Sequence, residues 1–143
     1  MSGDALEIDE LCVRRRGASL WLWIARSRKS GQVVSWTWGS RGAGCLQRLW
    51  QQVPTSYRRK LVYTDGYLVY SDFFSPWQHR VTDKTDGRTS RVEALNTLWR
   101  ARVSGLVRRS CGVCKARAQD IRERFARVVA WHNKRCLKKL QQS

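Results

Sequence analysis

Two aromatic and β-branched runs, LWLWIAR (20–26) and VVSWTWG (33–39), are separated only by the six residues SRKSGQ. Side chains of this kind favour a pleated, half-buried surface. A spacer rich in Ser, Gly and charge leaves room only for a tight reversal. The two runs are therefore expected to be antiparallel neighbours. A third run, residues 5–13, mixes apolar and acidic residues and leads into the charged turn RRRGAS. Together these predict a three-stranded antiparallel meander at the start of the chain. Trp21 and Trp23 share one face of their strand, and Trp36 and Trp38 share one face of theirs. Such pairs could stack on single-stranded bases, but two rings on one face are expected in a core or under a helix.

Beyond the meander the pattern changes period. In GAGCLQRLWQQV (42–53), Cys45, Leu46, Leu49, Trp50 and Val53 fall on one helical face, and Pro54 ends the helix. RKLVYTDG (59–66) returns to strand, residues 67–74 read as a short helix or loop, and 79–82 as a further short strand. DKTDGRTS (83–90) is a polar linker, and the last third, from about residue 90 to 143, is helical. Strands that first meander and then alternate with helices predict a single α/β domain over residues 1–143 built on one mixed sheet.

The chain carries 28 Lys and Arg against 11 Asp and Glu, a net charge of +17. The positive charge is spread along the whole length, so a broad basic surface is expected. Self-repulsion of that size is relieved by a polyanion, and counterion release from phosphates supplies the driving force. Nucleic acid is the favoured partner. No stretch is long or apolar enough to span a bilayer, and the short acidic start is unlike a signal or transit peptide. Five cysteines in an untargeted chain are expected to be reduced thiols, which places the protein in the cytoplasm.

Against this basic background the few carboxylates stand out. Asp9 lies inside the first strand, in EIDEL, and alternation would turn it away from Ile8. Asp65 follows the fourth strand in VYTDGYLVY. If those strands are neighbours, the two carboxylates converge, and their repulsion calls for a proton or a cation between them. Mg²⁺ uses one or two carboxylates plus phosphate oxygens. The plainer readings are an exposed Asp9 and an Asp-Gly turn at Asp65. In TSRVEALNTLWRARVSGLVRRS (89–110), Val92, Leu95, Trp99, Val103 and Leu106 form a core stripe. Glu93, Asn96 and Arg100 line one flank of it. Glu93 would either serve the helix dipole near a Thr89 or Ser90 cap or reach over the sheet to complete a metal site.

These three segments, in this order, resemble the DDE transposases with a ribonuclease H-like fold. More closely, the chain is similar to the transposases of the bacterial insertion-sequence-one family. The spacing is 55 residues between Asp9 and Asp65 and 27 between Asp65 and Glu93. The last segment carries the most specific likeness, in Arg91, Glu93, Asn96, Leu98, Arg100, Leu106, Arg108, Arg109 and Ser110. The resemblance implies a mixed five-stranded sheet, three antiparallel strands first, flanked by helices. It implies a catalytic and metal-binding triad of Asp9, Asp65 and Glu93, with two Mg²⁺ ions, or Mn²⁺ in their place. Asp9 would bridge the ions, Asp65 hold one and Glu93 the other. The implied activity is metal-dependent DNA strand cleavage and strand transfer in transposition. Arg91, Asn96, Arg100, Arg108 and Arg109 would contact DNA, mainly at phosphates.

The implied partners are double-stranded element ends and target DNA, bound by a homo-oligomer in the bacterial nucleoid. Family members usually carry an upstream zinc-finger and helix-turn-helix region, and that DNA-recognition domain is expected to be absent from this chain. It would come from a partner or a fusion. The rival readings are a non-catalytic basic nucleic-acid-binding protein, an inactive transposase relic, and a stand-alone nuclease of the same fold. Cys111 and Cys114 in CGVC have zinc-ligand spacing, with His132 and Cys136 downstream. However, Ile121, Phe125, Val128, Val129, His132, Cys136 and Leu140 recur as a helical stripe, so His132 and Cys136 are expected in packing.

Overall fold

The computed structural model describes residues 3–15, 18–82, 101 and 118–142. Strands β1 (Leu6–Arg15), β2 (Ala18–Ser27) and β3 (Val33–Gly39) form the expected antiparallel meander. The strands run closer together at the first reversal than the RRRGAS motif suggested, because Arg15 pairs directly with Ala18. Gly31, at φ 79°, supplies the left-handed residue that the second reversal needs.

Helix α1 (Ala43–Gln52), strand β4 (Val62–Thr64), helix α2 (Leu68–Phe73) and strand β5 (His79–Val81) follow, and helix α3 spans Ala118–Gln142. The sheet order is β3-β2-β1-β4-β5, with β4 parallel to β1 and β5 parallel to β4. This mixed five-stranded sheet with three antiparallel strands first is the ribonuclease H-like arrangement. The linker at 83–90 and the CGVC pair lie outside the described residues, as does the helix expected over 89–110 except for Ala101, which is helical and exposed.

Strand alternation divides the core in two. Leu6, Ile8, Trp23 and Ala25 face α1 and α2, where they meet Cys45, Leu46, Leu49, Val53 and Tyr70. Leu11, Leu22, Ile24, Val33 and Trp38 face α3 and pack on Phe125 and Val129. Phe125 is fully buried, with the Trp36 and Trp38 rings edge-on at 6.0 and 5.5 Å. Contacts of this geometry each add about 0.5–1.5 kcal/mol beyond burial. The paired tryptophans therefore serve the core, one pair on each face of the sheet. Gly39 is the close approach that lets α1 dock, since a Cβ there would lie 2.5 Å from Cys45 Sγ.

The α3 stripe behaves as its period predicts at Phe125, Val129 and His132, which are buried, whereas Leu140 near the helix end is exposed. His132 Nε2 pairs with the Gly31 carbonyl at 2.9 Å and lies 3.4 Å from Cys136 Sγ. Asn133 receives the Val33 N–H on Oδ1 (2.8 Å) and donates Nδ2 to the Val33 carbonyl (3.0 Å). A side-chain amide thus takes the place of a neighbouring strand where β3 would otherwise be an open edge.

The fourth strand is shorter than RKLVYTDG suggested. Residues 54–60 curl instead, with Tyr57 N–H on the Pro54 carbonyl and Lys60 N–H on the Tyr57 carbonyl. Gln78 Nε2 bonds the Arg58 and Lys60 carbonyls and holds the curl against the start of β5. No described helix is long and apolar enough to cross a membrane.

Candidate metal site and its surroundings

Parallel pairing of Leu6 with Val62 and of Glu7 with Tyr63 puts β4 beside the first half of β1. Carried two residues further, that register sets Asp65 beside Asp9. A ligand oxygen from each of Asp9, Glu10 and Asp65 lies within 4.8 Å of the others. Asp9 is half-buried and Asp65 exposed. The predicted convergence of Asp9 and Asp65 is therefore present. The turn reading of Asp65 also holds, because its Oδ1 accepts the Tyr67 N–H at 3.0 Å.

Glu10 was not anticipated. As the residue after Asp9 it alternates onto the side of β1 that carries Ile8, beside Trp23 and Tyr70, and is only 6% exposed. Its carboxylate nevertheless stays within reach of Asp9 and Asp65. Its Oε1 receives Arg41 Nη2 at 3.1 Å, and its Oε2 receives the Tyr70 hydroxyl. Burial pushes the Glu10 carboxyl above its ordinary range and the Asp65 charge adds to this, while the bonds from Tyr70 and Arg41 pull it back. The signal in the sequence was a glutamate in register with Ile8 on an apolar strand face. A charge there demands partners.

On the Asp9 face, Glu7 is spoken for by two cations. Arg26 Nη2 stands 3.5 Å and Arg28 Nε 3.2 Å from its carboxylate. The Arg28 guanidinium also lies 3.8 Å from the centre of the Tyr63 ring. Arg26 is 3% exposed. Burial lowers its pKa, and the Glu7 and Asp9 charges oppose that shift. The β2–β3 register slips between Ala25 and Arg26, a bulge of the kind that re-aims side chains beside functional sites. A cavity of about 60 Å³ opens here, lined by Asp9, Arg26, Thr64, Asp65 and Thr82 among others.

The donor set suits a hard divalent cation. All three groups offer oxygen, but both Glu10 oxygens take side-chain donors, from Arg41 and Tyr70. Asp9 and Asp65 each accept on Oδ1 only a backbone N–H from a residue just along the chain, Glu10 and Tyr67 respectively. Asp9 and Asp65 are therefore the two carboxylates better placed for the ion. That is the number Mg²⁺ commonly takes before phosphate oxygens and water fill its remaining positions. Glu93, Arg91, Asn96, Arg100, Arg108 and Arg109 lie outside the described residues.

A ribonuclease H-like sheet with one aspartate on β1 and another just past the end of its parallel neighbour β4 defines a candidate phosphoryl-transfer site. The IS1 transposase family matches residues 6–135, from the start of β1 into α3. The chain belongs to that family, and its function is that of a transposase. No curated protein matches it.

Proposed function

We propose that this transposase domain, residues 1–143, cuts and rejoins DNA with the help of divalent cations held by Asp9, Asp65 and Glu93. The observation that carries the reading is the meeting of Asp9, on β1, with Asp65, just past the end of the neighbouring parallel strand β4. Two carboxylates so close repel each other, and a protein keeps such a pair when a cation or proton joins them. Two bound Mg²⁺ ions, or Mn²⁺, would supply positive charge that activates the attacking oxygen and neutralises the leaving one. Asp9 would contribute oxygens to both ions, Asp65 to one and Glu93 to the other.

The substrate is DNA, first at an element end and then at a target. Arg91, Asn96, Arg100, Arg108 and Arg109 hold phosphates and orient the strand without reading bases. The net charge of +17 supports a partner of this kind. A homo-oligomer would bring two element ends together, and a zinc-finger and helix-turn-helix partner or fusion would recognise them.

The test replaces Asp9, Asp65 and Glu93 singly with Asn or Gln and follows Mg²⁺-dependent cleavage and strand transfer on labelled DNA. Each variant is expected to lose both reactions while keeping salt-sensitive DNA binding. Cleavage that survives in one variant removes that residue from the triad. A wild-type chain that binds DNA but never cuts it, with the recognition partner supplied, would favour the non-catalytic reading.

A further inference from the structure

We infer that Arg41 is a positioning residue for Asp65, acting through Tyr67, and that Glu10 is its anchor rather than a third metal ligand. This rests on the reading of Asp9 and Asp65 as metal ligands. Asp65 stands one residue past the end of β4, so the strand ladder alone does not orient its carboxylate. The Tyr67 N–H on Oδ1, at 3.0 Å, does so.

Tyr67 is itself held by Arg41. Its hydroxyl donates to the Arg41 carbonyl at 3.0 Å, and the Arg41 guanidinium lies over its ring, 4.2 Å from the centre. The same guanidinium lies over the Trp21 ring at 4.8 Å and donates Nη2 to Glu10 at 3.1 Å. Tyr70, fully buried, takes the other oxygen of Glu10 and meets the Tyr67 ring edge-on at 6.1 Å. Four segments thus converge on one side chain: β1 through Glu10, β2 through Trp21, the β3–α1 turn through Arg41 itself, and the loop after β4 through Tyr67.

The Arg41 side chain is 43% exposed. Arginines that accessible ordinarily keep their rotamer freedom, and fixing one costs entropy. Here a buried carboxylate and two aromatic rings fix it, which only a planar guanidinium can satisfy at once. The consequence falls on Asp65, because Mg²⁺ demands near-ideal geometry from its ligands. Loss of a partner that orients a ligand typically costs about 10–100-fold in metal affinity.

The test measures Mn²⁺ binding directly, by electron paramagnetic resonance and calorimetry on the full chain without DNA, beside thermal unfolding of each variant. Arg41→Ala is expected to raise the Mn²⁺ Kd about tenfold or more. Arg41→Lys, which keeps a charge for Glu10 but not the planar overlay, should recover part of this. Tyr67→Phe, which keeps the ring and loses the hydroxyl bond, should raise Kd by a smaller factor. A folded Arg41→Ala protein with unchanged Kd overturns the inference. Tighter binding overturns it too, since that would mean a released Glu10 had become a ligand. If Arg41→Ala does not fold, unchanged Kd in both Arg41→Lys and Tyr67→Phe overturns it equally. Asp65→Asn separates the two levels. If it binds Mn²⁺ like the wild type, the metal-ligand reading itself fails. If it loses binding while the Arg41 variants do not, only the positioning role fails.

Discussion

The two ends of the β1 neighbourhood treat carboxylates in opposite ways. At the entry, Asp4 is buried and its oxygens are saturated with donors. Ala5 N–H (2.8 Å) and Lys29 N–H (3.0 Å) bond Oδ1, while Ser27 Oγ (2.6 Å) and Tyr57 Oη (3.1 Å) bond Oδ2. Further along, Asp9 and Asp65 are brought within reach of each other, and Asp65 spends one oxygen on its own turn. The first arrangement ties the chain start to the β2–β3 turn and the loop after α1. The second sets like charges together, which serves stability poorly and cation binding well. Asp4 lies just before β1, Asp9 within it and Asp65 just after β4. What differs is that Asp4 gathers donors while Asp9 and Asp65 are brought up against each other's charge.

The sharpest way to break this contrast is the same substitution at both ends. Asp65→Asn is expected to reduce metal-dependent cleavage by more than about a hundredfold, beyond the usual effect of losing an outer partner. Its Tm without metal should hold or rise, because like charge is removed. Asp4→Asn should lower Tm instead. A fall in Tm for Asp65→Asn as deep as that for Asp4→Asn would mean that both acids are structural. Scanning calorimetry of metal-free protein reads the stability half, and cleavage of labelled DNA reads the other.

Glu10 sits between the two cases, next to Asp9 in sequence but supplied with donors like Asp4. Tyr70→Phe keeps the ring against Trp23, at 5.8 Å between centres, and removes the hydroxyl from Glu10. A buried carboxylate left short of a partner should cost about 2–3 kcal/mol, read as a shift in urea midpoint. A neutral result would show that Glu10 draws its support from Arg41 alone, and would move it toward the ligand group.

The frame of the fold was legible because it rests on local periodicity. The three meander strands, the α1 stripe and the α3 stripe follow from which residues alternate at two or recur at three to four. Asp9 and Asp65 were legible only jointly, through the neighbour relation of β1 and β4, which no local pattern encodes. Glu10, Arg41, Tyr67 and Tyr70 were missed for a related reason. Each belongs to a different segment, and their bonds depend on how the β3–α1 turn and the loop after β4 approach β1. The curl at residues 54–60 escaped because its support, Gln78, lies beyond the next strand.

The smallest expected effect is also the one whose pH dependence is most telling. Burial alone would raise the Asp4 pKa, but the bonds from Ser27, Lys29, Ala5 and Tyr57 outweigh it and hold the carboxyl below its ordinary value. An acid depressed in the folded state contributes stability that is complete above its unfolded pKa, about 3.9. That contribution is lost as pH falls through the lower folded value. Asn offers one acceptor oxygen in place of two, so Asp4→Asn should cost about 1–2 kcal/mol near neutrality. Urea unfolding at neutral pH, at pH 5 and near pH 3 should show the gap between wild type and variant holding over the first interval and narrowing over the second. A gap that stays constant to the lowest pH would mean the Asp4 charge contributes nothing, and that its anchoring role is one of shape alone.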